Sequence, residues 1–274
     1  MSGDSSAGAP PRRCSLQVGN TTLAYLDWGG EGPDVLLLHG ITSNAETWWR
    51  VAPRLAAEGF RVLAFDMPGH GRSDEATDHR IDSIATLVSS AAAALGVRKS
   101  VVIGHSWGGA VALALASGSS GIEFERLVMM DPALALTEEA GTQRVPLFTK
   151  GLGASVESLI PAISAANPDW PENDVRWKAQ AMHDCRFSAV SGFFTKSGDW
   201  DLTLRLGRVN VPLLLLIADP AASIIGDEGR IAAERAIGYN RGRVAVIMGT
   251  THNMYRGAGY EPTLAVIMDW LSHG

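Results

Sequence analysis

The chain has 274 residues, of which 46% are hydrophobic, and this is enough apolar material for one large domain with its own core. Its net charge of −6, with no block of lysine or arginine, gives no attraction to nucleic acid or to an anionic membrane, so neither partner is predicted. The longest apolar run covers residues 211–218, far fewer than the roughly 18 residues that a membrane-spanning helix needs.

The first fourteen residues are rich in Ser, Gly, Ala and Pro and contain no apolar segment of the kind found in secretion signals. We therefore predict a disordered tail over residues 1–14 and, as the default, a cytoplasmic location. The two cysteines, Cys14 and Cys185, form neither a disulfide framework nor a metal-ligand pattern. Cys185 is expected to behave as a small buried apolar residue.

Beyond the tail, short apolar runs alternate with longer segments that carry apolar residues at helical spacing. This alternation is typical of βαβ units, which form a mostly parallel sheet with helices on both faces. Eight strands are predicted, at residues 15–18, 23–28, 35–38, 61–65, 101–103, 127–130, 213–217 and 244–247. Helices are predicted at residues 47–58, 81–95, 110–117, 229–237 and 261–272. The predicted fold class is therefore α/β.

One connection breaks this alternation. Residues 133–210 contain four prolines and no strand-like run, and the segment is too long for a plain loop. Its periodicity predicts short helices at 137–140, 154–166 and 173–194, so we interpret it as a helical cap. The predicted organisation is a core formed by residues 15–132 and 211–274, with the cap of residues 133–210 inserted after the sixth strand.

The pattern Gly-His-Ser-Trp-Gly at residues 104–108 follows a predicted strand directly and leads into a predicted helix of small residues. Such a sharp turn pushes the hydroxyl of its central residue, Ser106, out above the sheet, and the flanking glycines leave room for the backbone to turn. Ser106 is therefore the candidate nucleophile. The alternative is an ordinary glycine-rich connection.

A serine hydroxyl needs a neighbouring base that takes its proton. Of the seven histidines, His252 follows the last predicted strand and precedes the final predicted helix. That position brings it to the carboxyl ends of the central strands, where open α/β sheets bind their ligands. His252 is the candidate base, with an exposed loop histidine as the alternative interpretation.

The negative charge that forms during acyl transfer needs fixed N–H donors. The sharp turn supplies the backbone N–H of Trp107, and the N–H of Ile41, in the loop after the third strand, is the candidate second donor. A further motif at residues 66–73 contains both Asp66 and Arg72. There we favour a turn locked by its own polar contacts over a catalytic charged pair.

Taken in chain order, these motifs resemble the α/β-hydrolase superfamily. The resemblance extends over residues 20–272 and is carried by His39-Gly40 and by residues 66–73, 104–109 and 249–253. It implies an α/β-hydrolase fold with an eight-stranded, mostly parallel sheet, helices on both faces and a cap. It also implies Ser106 as nucleophile, His252 as base, and an oxyanion hole formed by Ile41 and Trp107.

The resemblance further implies an acid that orients His252, and two aspartates compete for this role. The acid usually lies shortly after the seventh strand, where Asp219 stands slightly too early and Ala221 occupies the expected position. In other members it ends the sixth strand, and Asp131 stands there. We favour Asp131, with Asp219 as the alternative acid and an ordinary turn or capping aspartate as the structural interpretation.

Aromatic and methionine side chains around the predicted site favour apolar or cyclic substrates. Trp48, Trp49 and Trp107 are predicted to contact the substrate, and the cap offers further candidate wall residues, namely Trp170, Trp177, Met182, Phe193, Phe194 and Trp200. We expect hydrolysis of a small hydrophobic carboxylic ester or lactone, with amides in the same class. The sequence has no metal-ligand spacing and no phosphate-binding glycine pattern, so no cofactor is predicted.

Other functions remain open at this point. A C–C bond hydrolase or a cofactor-free haloperoxidase would use the same three residues, and a ligand receptor with vestigial catalysis could retain them. Haloalkane dehalogenases and epoxide hydrolases are disfavoured, because their members place an aspartate at the position of Ser106. The oligomeric state is also open, with a homodimer among the alternatives.

Overall fold

The computed structural model describes residues 10–118, 120–238 and 242–273. Its strands, in chain order, are β1 (Arg12–Val18), β2 (Thr21–Asp27), β3 (Asp34–Leu38), β4 (Arg61–Phe65), β5 (Lys99–His105), β6 (Glu123–Met130), β7 (Ala135–Leu136), β8 (Trp200–Asp201), β9 (Leu213–Ala218) and β10 (Gly242–Ile247). Eight of them form the central sheet in the order β1-β2-β4-β3-β5-β6-β9-β10. Only the contacts of β2 are antiparallel, so the predicted mostly parallel, eight-stranded sheet is confirmed.

The α-helices are α1 (Val51–Ala57), α2 (Ile81–Ala94), α3 (Trp107–Ser117), α4 (Glu138–Thr149), α5 (Val156–Ala166), α6 (Glu172–Asp184), α7 (Phe187–Lys196), α8 (Gly226–Ile237) and α9 (Tyr260–His273). Short 3-10 helices lie at Ala45–Trp48, Thr203–Arg208 and Gly257–Gly259. The helix predicted over residues 47–58 therefore divides into a 3-10 turn and α1. In the described ranges, no helix has the length and apolar character needed to cross a membrane.

Helices cover both faces of the sheet, as β3 illustrates. Leu36 and Leu38 point to the face packed by α2 and α3, whereas Val35 and Leu37 point to the face packed by α1 and α9. All four side chains are fully buried. Because successive residues of a strand face opposite sides, a strand covered on both faces has a continuous apolar sequence, which is what this segment shows.

The N-terminal tail is shorter than the sequence predicts. β1 begins at Arg12, so the prediction of disorder is wrong for residues 12–14, which pair with residues 25–27 of β2. Arg12 also forms an ion pair with Asp27 across this pairing, at 2.6 Å. Residues 12–14 have no apolar pattern that would predict a strand, and their extended conformation goes with their pairing to β2. Residues 10 and 11 have no regular secondary structure, and residues 1–9 of the predicted tail lie outside the described residues.

The inserted segment between β6 and β9 is more regular than its sequence suggests. It contains α4 to α7, and its two ends meet in an antiparallel pair of β7 and β8 that the sequence did not predict. The predicted helix over residues 173–194 is divided at Cys185 and Arg186, whose backbone is extended. There Arg186 donates from its N–H to the oxygen of Gly69 and from its guanidinium to that of Ser73, so contacts with the core break the helix. That this segment is a separate cap domain stays a prediction.

Candidate active site

Ser106 lies at the sharp turn between β5 and α3. Its backbone has φ 53° and ψ −118°, in a region that residues with a side chain rarely adopt. The flanking glycines are required by the close approach of the chain. A Cβ atom at Gly104 would lie 2.3 Å from the oxygen of Gly108, and one at Gly108 would lie 2.2 Å from the oxygen of Leu38. The role predicted for the two glycines therefore agrees with the geometry.

Backbone strain is concentrated around this turn. Over the described residues, the non-glycine residues with positive φ are Thr42, Ser106 and Asp131, which follow β3, β5 and β6. Since these three strands are neighbours, the strained residues share one edge of the sheet. Strain of this kind costs about 1–3 kcal/mol per residue and tends to persist at functional sites.

His252 lies in the loop between β10 and α9, next to Asp131. Its Nδ1 donates to Oδ2 of Asp131 at 2.6 Å. The Asp131 carboxylate is fully buried and also accepts from the N–H groups of Ala218 and Ile224 and from the hydroxyl of Ser223. These contacts fix the carboxylate, and the carboxylate in turn orients the imidazole. The other ring nitrogen, Nε2, has no hydrogen-bond partner among the described residues.

Asp219, the competing acid, does not contact His252. Its carboxylate accepts from the N–H groups of Ala221 and Gly249, at 3.0 and 2.8 Å. These backbone hydrogen bonds lower the pKa of Asp219. It therefore holds the turn at the start of the loop that carries His252, and of the two aspartates only Asp131 reaches the imidazole.

Ser106 and His252 both line one cavity at the carboxyl edge of the sheet. Within the part of the chain that the structure describes, no hydrogen bond joins their side chains, and such contacts commonly tighten only when substrate binds. A hydrogen bond from His105 holds the loop of His252, because Nε2 of His105 donates to the backbone oxygen of His252 at 2.8 Å. Burial, with the nearby His252, lowers the pKa of His105 well below its ordinary value, so His105 is a neutral support.

Ile41 borders the same cavity, in the loop after β3. Two buried histidines hold this loop against the turn at residues 66–73. His39 accepts from the N–H of Met67 at 2.9 Å, and His70 accepts from the N–H of Thr42 at 3.1 Å. Burial lowers the pKa of both rings, that of His70 to about 4, so each can act as a neutral acceptor.

Asp66, in the same turn, forms no ion pair with Arg72. Its carboxylate accepts from the backbone N–H of Ala45 at 2.7 Å and from that of Arg72 at 3.0 Å. Burial raises the pKa of Asp66 to about 6. The interpretation of this motif as a turn locked by its own polar contacts agrees with these bonds.

The cavity consists of two lobes that share Ile41, Ser106, Phe148 and His252. The larger one, of about 200 Å³, we call the apolar lobe. Its other lining residues are Trp107, Ala133, Leu134, Ala135, Leu136, Arg144, Phe193, Phe194, Trp200, Thr203, Ile224, Ile225 and Gly229. The smaller one, of about 90 Å³, we call the charged lobe. Its other lining residues are Gly40, Thr42, Ser43, His105, Lys178, Asn253, Tyr255 and Arg256.

This fold has counterparts in known proteins. The family model for the α/β-hydrolase fold matches residues 33–183, more than half of the chain. The chain belongs to the α/β-hydrolase family.

Three relatives illustrate the range of this family. N-formylmaleamate deformylase from Pseudomonas putida is 31% identical over 199 residues, which cover 71% of this α/β-hydrolase and 73% of the deformylase. Lipase LipV from Mycobacterium tuberculosis is 36% identical over 140 residues, or 51% of each chain. The solved structure of E-2-(acetamidomethylene)succinate hydrolase has a TM-score of 0.80 at 20% identity, covering 96% of this chain and 99% of the other, and shows likeness of fold.

The predicted contact residues of this α/β-hydrolase are only partly at the cavity. Trp107 lines the apolar lobe, but the prediction is wrong for Trp48, which is fully buried in the core beneath the sheet and stacked on Tyr255 at 5.0 Å. It is also wrong for Trp49, whose indole donates to Asp174 at 2.8 Å away from both lobes. The local sequence does not show this difference between Trp48 and Trp49, because adjacent residues at the end of a 3-10 helix face different surroundings.

The candidate wall residues of the inserted segment divide in the same way. Phe193, Phe194 and Trp200 line the apolar lobe, where the ring of Phe193 lies 5.3 Å from that of Trp107. The other three do not line either lobe. Trp170 and Met182 pack within the insertion, and Trp177 borders a separate polar pocket. The prediction of a place in the cavity wall is therefore wrong for these three residues.

Sequence reasoning missed the two cations of the charged lobe, Lys178 on α6 and Arg256 after His252. Lys178 resembles any lysine of an amphipathic helix, and nothing in the local pattern distinguishes it. Arg256 offered one signal, its position four residues after His252 in the same loop. Among the residues that the structure describes, no group of three or more His, Cys, Asp or Glu is arranged to hold a metal ion.

Proposed function

We propose that this α/β-hydrolase is a serine hydrolase that cleaves a small, largely apolar carboxylic ester or lactone through an acyl-enzyme intermediate. One observation carries the proposal. The imidazole of His252 is held at 2.6 Å by the buried carboxylate of Asp131 and lines the same cavity as Ser106 at its strained turn. In a catalytic triad, an acid holds a base, and the base lies next to the nucleophile.

In the proposed reaction, Oγ of Ser106 attacks the carbonyl carbon while Nε2 of His252 takes the hydroxyl proton. The carbonyl oxygen becomes negatively charged and accepts hydrogen bonds from the N–H groups of Trp107 and Ile41. Neither N–H has a partner in the described ranges, and that of Trp107 begins α3, where helix geometry leaves it unpaired. Asp131 stabilises the imidazolium that forms.

The bond to the leaving group then breaks, and His252 returns the proton to the departing oxygen, which leaves an acyl ester on Ser106. A water molecule next gives its proton to His252 and attacks that ester. Collapse of the second intermediate releases the acid and restores the hydroxyl of Ser106. Every proton moves between Ser106, His252, substrate and water, so the cycle balances without an added reductant or oxidant.

The apolar lobe supports a substrate with a hydrophobic part. Phe148, Phe193, Phe194 and Trp200 surround it, and its volume of about 200 Å³ suits a small ring or a short alkyl chain. The relationship to a lipase agrees with ester cleavage.

An amide is the second candidate substrate. The relative that matches over most of both chains is a deformylase of N-formylmaleamate. Its name indicates cleavage of an N-formyl bond, which the same three residues would perform with nitrogen in place of oxygen as the leaving atom. A comparison of matched ester and anilide substrates separates the two candidates.

Labelling with a fluorophosphonate, followed by peptide mass spectrometry, tests the proposal. We expect the phosphonyl group on the peptide that contains Ser106, no label in Ser106→Ala, and unchanged labelling in Ser155→Ala, which alters an exposed serine of the insertion. Folded protein that stays unlabelled at Ser106 would contradict the proposed nucleophile.

A further inference from the structure

The charged lobe contains two cations that the proposed acyl transfer does not use. Nζ of Lys178 donates to the backbone oxygen and the hydroxyl of Thr42, at 2.9 and 2.8 Å. The guanidinium of Arg256 donates to the backbone oxygen of Asp174 and to the hydroxyl of Thr47. All these acceptors are uncharged, so hydrogen bonding holds the two side chains without neutralising them.

Neither cation takes part in an ion pair over the described residues. Asp174, the acid beside Arg256, directs its carboxylate oxygens to the indole N–H of Trp49 and to the N–H of Gly257. Arg256 is only 3% exposed, and its Nε–H has no hydrogen-bond partner. Its guanidinium also lies over two aromatic rings, those of Trp170 at 4.7 Å and Tyr255 at 5.7 Å.

Burying charge without a counter-ion is costly, and two like charges at one cavity add repulsion. The effect is visible in Lys178, because burial and then the charge of Arg256 lower its pKa to about 7. An anion in the lobe would offset both costs, since it would accept charge-assisted hydrogen bonds from Lys178 and be attracted by Arg256. A neutral substrate group would leave the cost unchanged.

We propose that the charged lobe binds a carboxylate of the substrate, so that the hydrolysed compound is an acid whose ester or amide carbonyl lies between an apolar group and an anionic group. The assignment rests on the proposed function, since it assumes that the reacting carbonyl sits at Ser106. The two lobes meet at Ser106 and His252, which places the two ends of such a substrate on opposite sides of the reacting atoms.

The size of the lobe limits the anionic arm. A volume of about 90 Å³ has room for a carboxylate and a short linker, but not for a second ring. The substrate expected from both lobes is therefore amphipathic, with its larger part apolar. An acidic group is thereby added to the small hydrophobic ester or lactone that the sequence indicates. Its proposed binding partners are Lys178, from the insertion, and Arg256, from the core.

The test measures binding to Ser106→Ala by isothermal titration calorimetry, with 4-phenylbutyrate and its neutral amide as a matched pair. At about pH 6, we expect the carboxylate to bind about tenfold more tightly than the amide, because only the carboxylate neutralises the lobe. In Ser106→Ala combined with Lys178→Met, most of this preference should be lost, because only Arg256 then remains to attract the carboxylate. Lys178→Arg retains the charge and should retain the preference.

Lys196→Met is the matched control, because it removes an exposed lysine from a neighbouring helix of the insertion and should leave the preference unchanged. Equal binding of acid and amide to Ser106→Ala, or no binding of the acid at millimolar concentration, would overturn the proposal. So would a preference that Lys178→Met leaves undiminished, or tighter binding of inorganic phosphate than of 4-phenylbutyrate.

These results are independent of the proposed function. Because the ligands bind without turnover, the charged lobe is tested even if Ser106 proves not to be a nucleophile. Fluorophosphonate labelling of the unaltered protein tests Ser106 separately. Label on Ser106 without a preference for the acid would reject the substrate assignment alone, whereas a preference for the acid without label would reject the proposed nucleophile alone.

Discussion

The core and the inserted segment contribute to the cavity in different ways. Ser106, Asp131 and His252 follow strands of the central sheet, and buried hydrogen bonds to backbone groups fix Asp131 and the loops around it. The insertion contributes aromatic rings and Lys178, which enclose the space in front of those residues. The comparison teaches that the proposed reacting groups are held by the rigid sheet, whereas much of the cavity wall comes from a segment with its own packing.

The largest expected effect tests the core. Asp131→Asn should lower kcat for an activated short-chain ester about 10⁴-fold, because the amide no longer holds the imidazole of His252 in the productive tautomer. Asp219→Asn is the matched control, since it only weakens a turn that precedes the same loop. Steady-state kinetics of both variants should show a small change for Asp219→Asn, and the reverse order would identify Asp219 as the acid.

A second pair of variants compares a residue that lines the cavity with a residue of the hydrophobic core. Phe148→Ala removes a half-buried ring that borders both lobes, and we expect kcat/KM for an apolar ester to fall about tenfold as contact area is lost. Trp48→Ala instead empties the core and should lower the free energy of unfolding by about 3–5 kcal/mol. Urea denaturation and kinetics of the two variants measure both effects, and a Trp48→Ala that alters only specificity would contradict its placement.

The charged lobe predicts a pH dependence. The pKa of Lys178 is lowered to about 7, so its charge is present below that pH and lost above it. Of the other groups that face it, Cys185, His39 and His70 keep their charge state in this range, since the pKa of Cys185 is raised to about 12 and those of His39 and His70 are lowered. Binding of 4-phenylbutyrate to Ser106→Ala should therefore weaken about tenfold between about pH 6 and pH 9.

Lys178→Arg is the control for this titration. An arginine keeps its charge throughout the range, so the part of the decline that belongs to Lys178 should disappear. A decline of equal size in Lys178→Arg would show that another group controls the pH dependence.

The smallest expected effect concerns His70, which supports the loop that carries Ile41. Folding lowers the pKa of His70 from its ordinary value to about 4, so the unfolded chain binds more protons and this contribution to stability is lost as pH falls below about 6.5. Asp66, whose pKa is raised to about 6, acts in the opposite direction. Between about pH 6.5 and pH 4, the Tm of His70→Gln should fall less steeply than the Tm of the unaltered chain. Equal slopes of Tm against pH would contradict the lowered pKa of His70.

The sequence by itself determined the frame of this protein. Continuous apolar runs identified the buried strands, and the glycines around Ser106 identified a turn that other residues cannot form, because both signals arise from contacts between residues close in sequence. The same logic located His252, which follows the last strand. It also proposed Asp131, since the end of the sixth strand lies beside the end of the fifth.

Tertiary structure decided what the frame encloses. Trp48 and Trp49 stand beside each other in sequence, yet one is buried in the core and the other bonds to Asp174, while Lys178 reaches the loop of Thr42 from 136 residues away. Distance likewise separates Asp131 from Asp219, because only the carboxylate of Asp131 reaches His252. Such contacts depend on how an inserted helix packs against distant loops, and no local pattern of residues encodes that packing.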